Sequence, residues 1–337
     1  MAIATRILPP SALVPCGPGR CSPARAGWLW HRAGWPCHRA GWPCSSQPDA
    51  AVGPVQPSAR MVSPASPPYP PAVVALAWVV EGNGEGRPVL LLPEASRPAA
   101  AWPVGLVGAF AGAGHPVVRL DLRDQGRSPW VEEPYTLADL AADVAEVLGA
   151  LGAGLGAAHV VGWGLGGAIA LALACAEGAG IAGLTLVGTS GWVVDPALPG
   201  PDEPTAVALV WRTRGGTSPE ALTRALGREH RALCGRPDRP DPATALGEAA
   251  RWVEWGFNPH DRQRAAWLGA GPLWAAAAGL QGLRATVVHG AEDPLVPVEH
   301  GRRLATAAHA RLVEVPGAGH ELTPPVVAAI IDTVPRG

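Results

Sequence analysis

Charge is scarce in this 337-residue chain: Asp, Glu, Lys and Arg together make up 16% of it, against 48% apolar residues. Wholesale disorder needs the opposite balance, so it is excluded, and there is enough apolar material for a sizeable core. Lysine is missing altogether, since all 26 basic residues are Arg. With the high Ala, Gly and Pro content this matches a GC-rich coding sequence, and it carries no functional weight. No run of 18 apolar residues is free of breakers, which excludes an evident membrane span, and the N-terminus lacks the pattern of a secretory signal. A soluble, cytoplasmic protein is expected. The formal net charge is -2, yet residues 1–60 carry six Arg against one Asp, so the remainder is clearly acidic. That remainder has no basic stripe to suggest nucleic-acid binding. Cys16, Cys21, Cys37 and Cys44 cluster without the apolar context of a disulfide or zinc module, and Cys175 and Cys234 are isolated. Their spacing implies no metal or redox cofactor.

The length suits one large α/β domain with an insertion or two small domains. Residues 1–71 read as a separate object. Arg25–His31, Arg32–His38 and Arg39–Ser45 repeat every seven residues as RAGWLWH, RAGWPCH and RAGWPCS. A Gly-Trp pair in each copy and a Pro in two copies oppose a continuous helix. Pro48–Pro71 is dominated by Pro, Ser and Ala, which bury too little surface to offset ordering entropy. The expectation is a disordered extension, or residues upstream of a start at Met61. A Trp/His binding tail is the alternative, with His31 and His38 weaker still as metal ligands.

From Ala72 the pattern changes. Ala75–Val80, Val89–Leu92, Val117–Leu120, His159–Gly162, Leu184–Val187, Thr286–His289 and Arg311–Val315 are short apolar runs that predict strands. Helices are expected over Trp102–Ala113, from Leu137 to Leu151 behind the capping pair Thr136 and Asp139, over Gly167–Ala176, around Val298–Ala307 and after Thr323. Apolar strands without polar alternation indicate a mostly parallel sheet covered on both faces. Between Ser190 and Leu283 the rhythm breaks into helical pieces carrying Trp211, Trp252, Trp255, Trp267 and Trp274. This predicts a cap, at about residues 190–283, within a domain spanning 72–334.

Strand His159–Gly162 runs into Gly162-Trp163-Gly164-Leu165-Gly166-Gly167 and then an apolar helix. A strand, a tight glycine-bearing turn and a helix are the setting of a nucleophile elbow, whose middle residue is Ser, Cys or Asp in active sites. Here that residue is Gly164. Glycine accepts the strained turn at little cost, so the elbow survives while covalent catalysis is lost. A dinucleotide-binding fingerprint is the rival, but the turn comes late in the alternation and no acidic residue ends the next strand. Downstream, Asp293 follows one strand within HGAEDP and His320 follows another within PGAGH. Asp293 would orient the imidazole of His320 and favour its protonated form, giving an acid or base near neutral pH. The neighbouring Glu292 is an alternative for that orienting role.

These segments resemble the α/β-hydrolase-fold superfamily and, more narrowly, the methylesterase-like enzymes of bacterial aromatic polyketide (anthracycline-type) pathways. The resemblance rests on the segment Arg119–Ser128, the elbow, HGAEDPLVP from His289 to Pro297 and VPGAGH from Val315 to His320. It implies an α/β-hydrolase fold: a mostly parallel central sheet with helices on both faces and an inserted helical cap. It places the acid at Asp293, the histidine at His320 and the serine at Gly164. The departure at Gly164 makes ordinary serine-ester chemistry impossible.

A second departure is Pro93-Glu94, where relatives commonly have His-Gly. By position the backbone donors of an oxyanion site fall on Ala95 and Leu165. Glu94 would line the pocket as a second acid or base, although a loop-surface carboxylate is the plainer reading. Ser96 is off the elbow and a weak replacement nucleophile. Trp163 lines the pocket or packs behind it. Asp121, Arg123, Asp124 and Arg127 fit a loop-bracing ionic network better than catalysis; the rigid apolar surfaces of the cap tryptophans would suit a flat hydrophobic ligand, although core packing is the plainer account of each. The expected function is noncovalent processing of a hydrophobic, polyketide-like metabolite by proton transfer or water activation, whether cyclisation, elimination, decarboxylation or hydrolysis. The alternatives are a noncatalytic ligand-binding or interaction protein and an esterase with a displaced nucleophile. The expected partner is a hydrophobic small molecule, with no cofactor, nucleic acid or membrane involved, and no oligomeric state is implied.

Overall fold

The computed structural model describes residues 73–335, apart from 156, 175–179, 212–215, 236–238, 261 and 281. The seven-residue repeat, the Pro-rich stretch, the four clustered cysteines and Cys175 lie outside the described residues. Seven strands make one sheet: β1 (Trp78–Glu81), β2 (Val89–Leu92), β3 (Val117–Leu120), β4 (Ala158–Trp163), β5 (Ile181–Val187), β6 (Ala285–Gly290) and β7 (Arg311–Val315). Their order is β1-β3-β2-β4-β5-β6-β7. Only β1 runs antiparallel, pairing Trp78 with Leu120, and the other neighbours are parallel. The strands β1 and β2 are consecutive in sequence but not adjacent in space. The connection from β2 to β3 passes through α1 (Val104–Gly112) and sets β3 between them.

The unbroken apolar runs are explained by two covered faces. Leu90 and Leu92 point into a core shared with Val160, Leu184 and Leu186. Covering that core are α2 (Leu137–Leu155), α3 (Leu165–Ala174) and α9 (Val298–Ala307). Val89 and Leu91 point the other way, against α1 and α10 (Pro324–Ile331), where Leu106, Phe110, Val326 and Ile330 meet Val161 and Val288. The capping pair closes the start of α2: Thr136 N–H donates to Asp139 Oδ2 at 2.7 Å, and Asp139 N–H donates back to Thr136 Oγ1 at 3.4 Å.

Between β5 and β6 the chain forms α4 (Glu203–Trp211), α5 (Pro219–Leu233), α6 (Pro242–Gly256), α7 (Gln263–Leu268) and α8 (Trp274–Ala278). Pro219 and Pro242 open α5 and α6 behind the capping side chains of Ser218 and Asp241. The two helices pack through Leu222, Leu226, Ala249, Trp252 and Phe257, forming an inserted helical region of the cap type. The loop after β3 fastens it to the sheet domain. Asp121 accepts from Ala99 N–H and from Trp255 Nε1 of the cap, and Gly126 N–H donates to Gly256 O. Gln263 Nε2 donates to Arg123 O, while the Arg123 guanidinium lies against Asp143. The charged Asp121–Arg127 segment is therefore a brace. Among the described residues no helix is long and apolar enough to cross a membrane.

Candidate active site

Backbone packing makes the turn after β4. Gly164 has φ of +52°, in the left-handed region, and its N–H donates to Val187 O while its carbonyl accepts from Gly167 and Ala168. A Cβ on Gly162 would come within 2.5 Å of Gly166 O, so strand and helix can approach this closely only through glycine. Thr189 Oγ1 donates to Gly164 O at 2.6 Å and locks the turn from the end of β5.

Two loops at the same end of the sheet deliver an acid and an imidazole. Asp293 follows β6, and its Oδ1 accepts the N–H groups of Leu295 and Val296, both at 2.9 Å. Its Oδ2 faces His320 Nδ1 at 2.8 Å. His320 follows β7. Its backbone N–H donates to Leu233 O at the end of α5, and its carbonyl accepts Trp163 Nε1 at 3.0 Å. Trp163 thus packs behind the site and anchors the histidine loop, and Trp102 meets its ring edge-on with centroids 6.1 Å apart. Glu292 is placed elsewhere: its backbone N–H donates to Ala318 O, and the carboxylate at His320 is that of Asp293. His289 also approaches Asp293, with Nε2 3.5 Å from Oδ2, but that nitrogen is hydrogen-bonded to Val296 O. Burial pushes the pKa of His289 down and favours its neutral form.

The largest difference from the sequence reading concerns Glu94. It is no surface carboxylate, being only 2% exposed. A Cβ built on Gly164 would fall on Glu94 Oε2 itself. This side chain, from the loop after β2, occupies the space that a residue at the elbow would fill. Glu94 Oε2 accepts Leu165 N–H at 2.9 Å and lies 3.6 Å from His320 Nε2. The Leu165 donor, expected to serve an oxyanion, is therefore engaged by the protein's own carboxylate, while Ala95 is buried on the same loop. Ser96 is fully buried with φ of +62°, and its N–H donates to Gln263 Oε1 of α7. It sits in a tight turn closed by Arg97 N–H donating to Glu94 O.

Electrostatics follow from this enclosure. Burial disfavours the His320 cation, but the Asp293 carboxylate and its hydrogen bond, reinforced by Glu94, outweigh burial and raise the pKa to about 10. The His320 ring is thus held toward its protonated form between the side chains of Asp293 and Glu94. Next to it lies a buried ionic cluster that sequence reasoning missed. Arg97 pairs with Glu229 at 3.1 Å and with Glu321 at 2.6 Å, and its guanidinium lies over the Trp252 ring at 4.6 Å. His230 stands 3.2 Å from Glu321 and 2.9 Å from Glu248. Burial opposes its charge, yet Glu321 and Glu248 hold its pKa up at about 9. Burial would raise Glu321, but Arg97 and His230 bring its pKa down to about 2. The one available signal was Glu321 following His320 directly; its partners come from loops and cap helices up to 224 positions away.

The whole site is enclosed, with His320 only 1% exposed. A groove of about 370 Å³ lined by Tyr135, Leu137, Ala172, Ala266 and Leu273 includes none of these residues. Four of the cap tryptophans are engaged in packing and brackets: Trp252 under Arg97, Trp255 on Asp121, Trp267 in the main core, and Trp274 on Asp195, while the side chain of Trp211 lies outside the described residues. Among the described residues no group of three or more His, Cys, Asp or Glu is placed to hold a metal ion.

Similar proteins fit this architecture. RutD, a proposed carbamate hydrolase of Variovorax paradoxus (strain S110), is 41% identical over 113 residues, 33% of this chain and 41% of that protein. The rhodomycin D methylesterase DnrP of Streptomyces peucetius is 41% identical over 96 residues, 28% of this chain and 32% of that protein. The matches thus span well under half the length of these relatives. Among solved structures, a hydrolase from Pseudomonas aeruginosa PA01 superposes with a TM-score of 0.59 at 25% identity, covering 77% of this chain and 92% of that one. The model of the alpha/beta hydrolase family matches residues 82–329, and the chain belongs to that family.

Proposed function

We propose that this chain is a noncovalent enzyme acting on a small hydrophobic molecule, with the Asp293–His320 pair moving protons at a site where Gly164 stands in place of the family's nucleophile. The observation that carries this reading is the orientation of His320: Nδ1 on Asp293 at 2.8 Å and Nε2 turned toward the elbow. Acyl-enzyme chemistry needs an attacking side chain and a ready oxyanion donor. Gly164 offers no attacking group, and Leu165 N–H is already taken by Glu94. Proton transfer needs neither. The sequence resemblance to methylesterase-like enzymes of aromatic polyketide pathways, together with the Streptomyces relative named as a rhodomycin D methylesterase, supports an aromatic polyketide-like substrate.

The test is a mass-spectrometric screen of hydrophobic ketones and esters, run beside a fluorophosphonate serine probe. Turnover without probe labelling, reduced about 10²–10⁴-fold in His320→Ala, is the expected result. Unchanged turnover in that variant would reject the proton-transfer role. The enclosure of every site side chain favours a second reading, a ligand-binding protein derived from a hydrolase. A metabolite recovered unchanged, with affinity retained in His320→Ala, would support that one.

A further inference from the structure

The position of Glu94 admits a more specific assignment, which rests on the proton-transfer reading above. We propose that Glu94 is the base of this site and His320 its acid, a carboxylate–imidazolium pair that enolises a carbonyl substrate. Three observations converge. Glu94 Oε2 coincides with the place of an elbow side chain and is steadied by Leu165 N–H. Glu94 Oε1 and His320 Nε2 are both buried and, among the described residues, neither has a hydrogen-bond partner. Buried polar atoms are costly unless paired, so two such atoms on side chains that approach to 3.6 Å, through Nε2 and Oε2, mark where a ligand would be bound. The separation of 3.6 Å between the two side chains is too long for a hydrogen bond and short enough to act on neighbouring atoms of one molecule.

The surroundings assign the roles. His320 faces Asp293 on one side and Glu94 on the other; His289 is held by Val296 O, and the Arg97 charge is met by Glu229 and Glu321. An imidazole so flanked carries a proton to give, and a histidine-as-base mechanism would have to begin by removing it. The carboxylate is the proton acceptor. In the forward step a Glu94 oxygen takes a proton from the carbon next to the substrate carbonyl. The C–H electron pair becomes the carbon–carbon double bond of the enol, and the carbonyl π pair takes the proton of His320 Nε2. Glu94 ends as the acid and His320 as neutral imidazole. Return of the two protons, to the same carbon or to a conjugated one, gives exchange or isomerisation and regenerates both groups. No oxidant, reductant or further reactant is required.

The full-length protein is tested with 2-tetralone, a hydrophobic ketone with exchangeable α-protons, in D₂O by proton NMR. Nitrogen NMR titration of the His320 ring is run on the same samples. Wild-type protein is expected to accelerate deuterium incorporation, with losses of about 10²–10⁴-fold in Glu94→Gln and in His320→Gln. Gly164→Ala, which places a Cβ on the Glu94 oxygen without removing its charge, is expected to lose exchange as well. In Glu94→Gln the His320 midpoint is expected to fall, which loss of fold alone would not produce in a ring still bonded to Asp293. Exchange lost in His320→Gln but kept in Glu94→Gln would overturn the assignment of the base and leave proton transfer by His320 standing. No exchange above the buffer rate in wild type, or a His320 midpoint unmoved in Glu94→Gln, would overturn the proposal.

Discussion

Replacing Gly164 by Ser is the direct way to ask whether Glu94 fills the elbow. Three costs act together. A non-glycine residue at φ of +52° costs about 1–2 kcal/mol. The new Cβ would sit on Glu94 Oε2, so the carboxylate must leave Leu165 N–H, forfeiting a charge-assisted hydrogen bond of about 1.5–3 kcal/mol. The displaced carboxylate must then find a place among buried neighbours. A total of about 3–5 kcal/mol is expected, which for a domain of this size lowers Tm by roughly 6–15 °C. In a Glu94→Ala background the second and third costs vanish, and Gly164→Ser should be destabilising only through its backbone. A double-mutant cycle by urea denaturation should therefore give a coupling of about 2–3 kcal/mol, at the upper end for residues in contact. The same double variant leaves the new hydroxyl beside His320 and frees Leu165 N–H, so a fluorophosphonate should label it and not the single Gly164→Ser variant. An equal destabilisation by Gly164→Ser in both backgrounds would refute the reasoning, because the two side chains would then not compete for one space.

A further prediction concerns alkaline pH. His230 and His320 have folded pKa values of about 9 and about 10, above the usual 6.5 for histidine. Their contribution to stability is complete below about pH 6.5 and is lost as pH rises through 9 and 10. Urea midpoints should fall over that window, and His230→Gln should flatten the fall. Arg97→Met would leave Glu229 and Glu321 buried without their shared cation on the loop after β2. It should cost about 3–5 kcal/mol by the same measurement; a loss below 1 kcal/mol would show that the cluster does not hold the cap to the sheet.

Periodicity and punctuation reached far into the fold. The bounds of β2, β3, β7 and α9 agree with the residues read from sequence, and the capping pair at Thr136 and Asp139 forms as expected, because each depends on near neighbours in the chain. The Asp293–His320 contact was also legible, since strand ends that alternate with helices in a parallel sheet bring their loops to one edge. Sheet order was less accessible: the Gly-rich turn after β1 gives no sign that β3 intervenes before β2.

Sequence alone determined that the middle of the turn after β4 carries no side chain, because that residue is Gly164. Only the tertiary structure decided what stands there instead. Glu94 and Gly164 are 70 positions apart, and nothing local tells whether a loop carboxylate turns to solvent or inward. The parallel pairing of β2 with β4 brings their ends together, and the small volume at Gly164 lets the Glu94 side chain enter. Once both carboxylates are buried around His320, its charge state is a property of three separate loops rather than of any one segment.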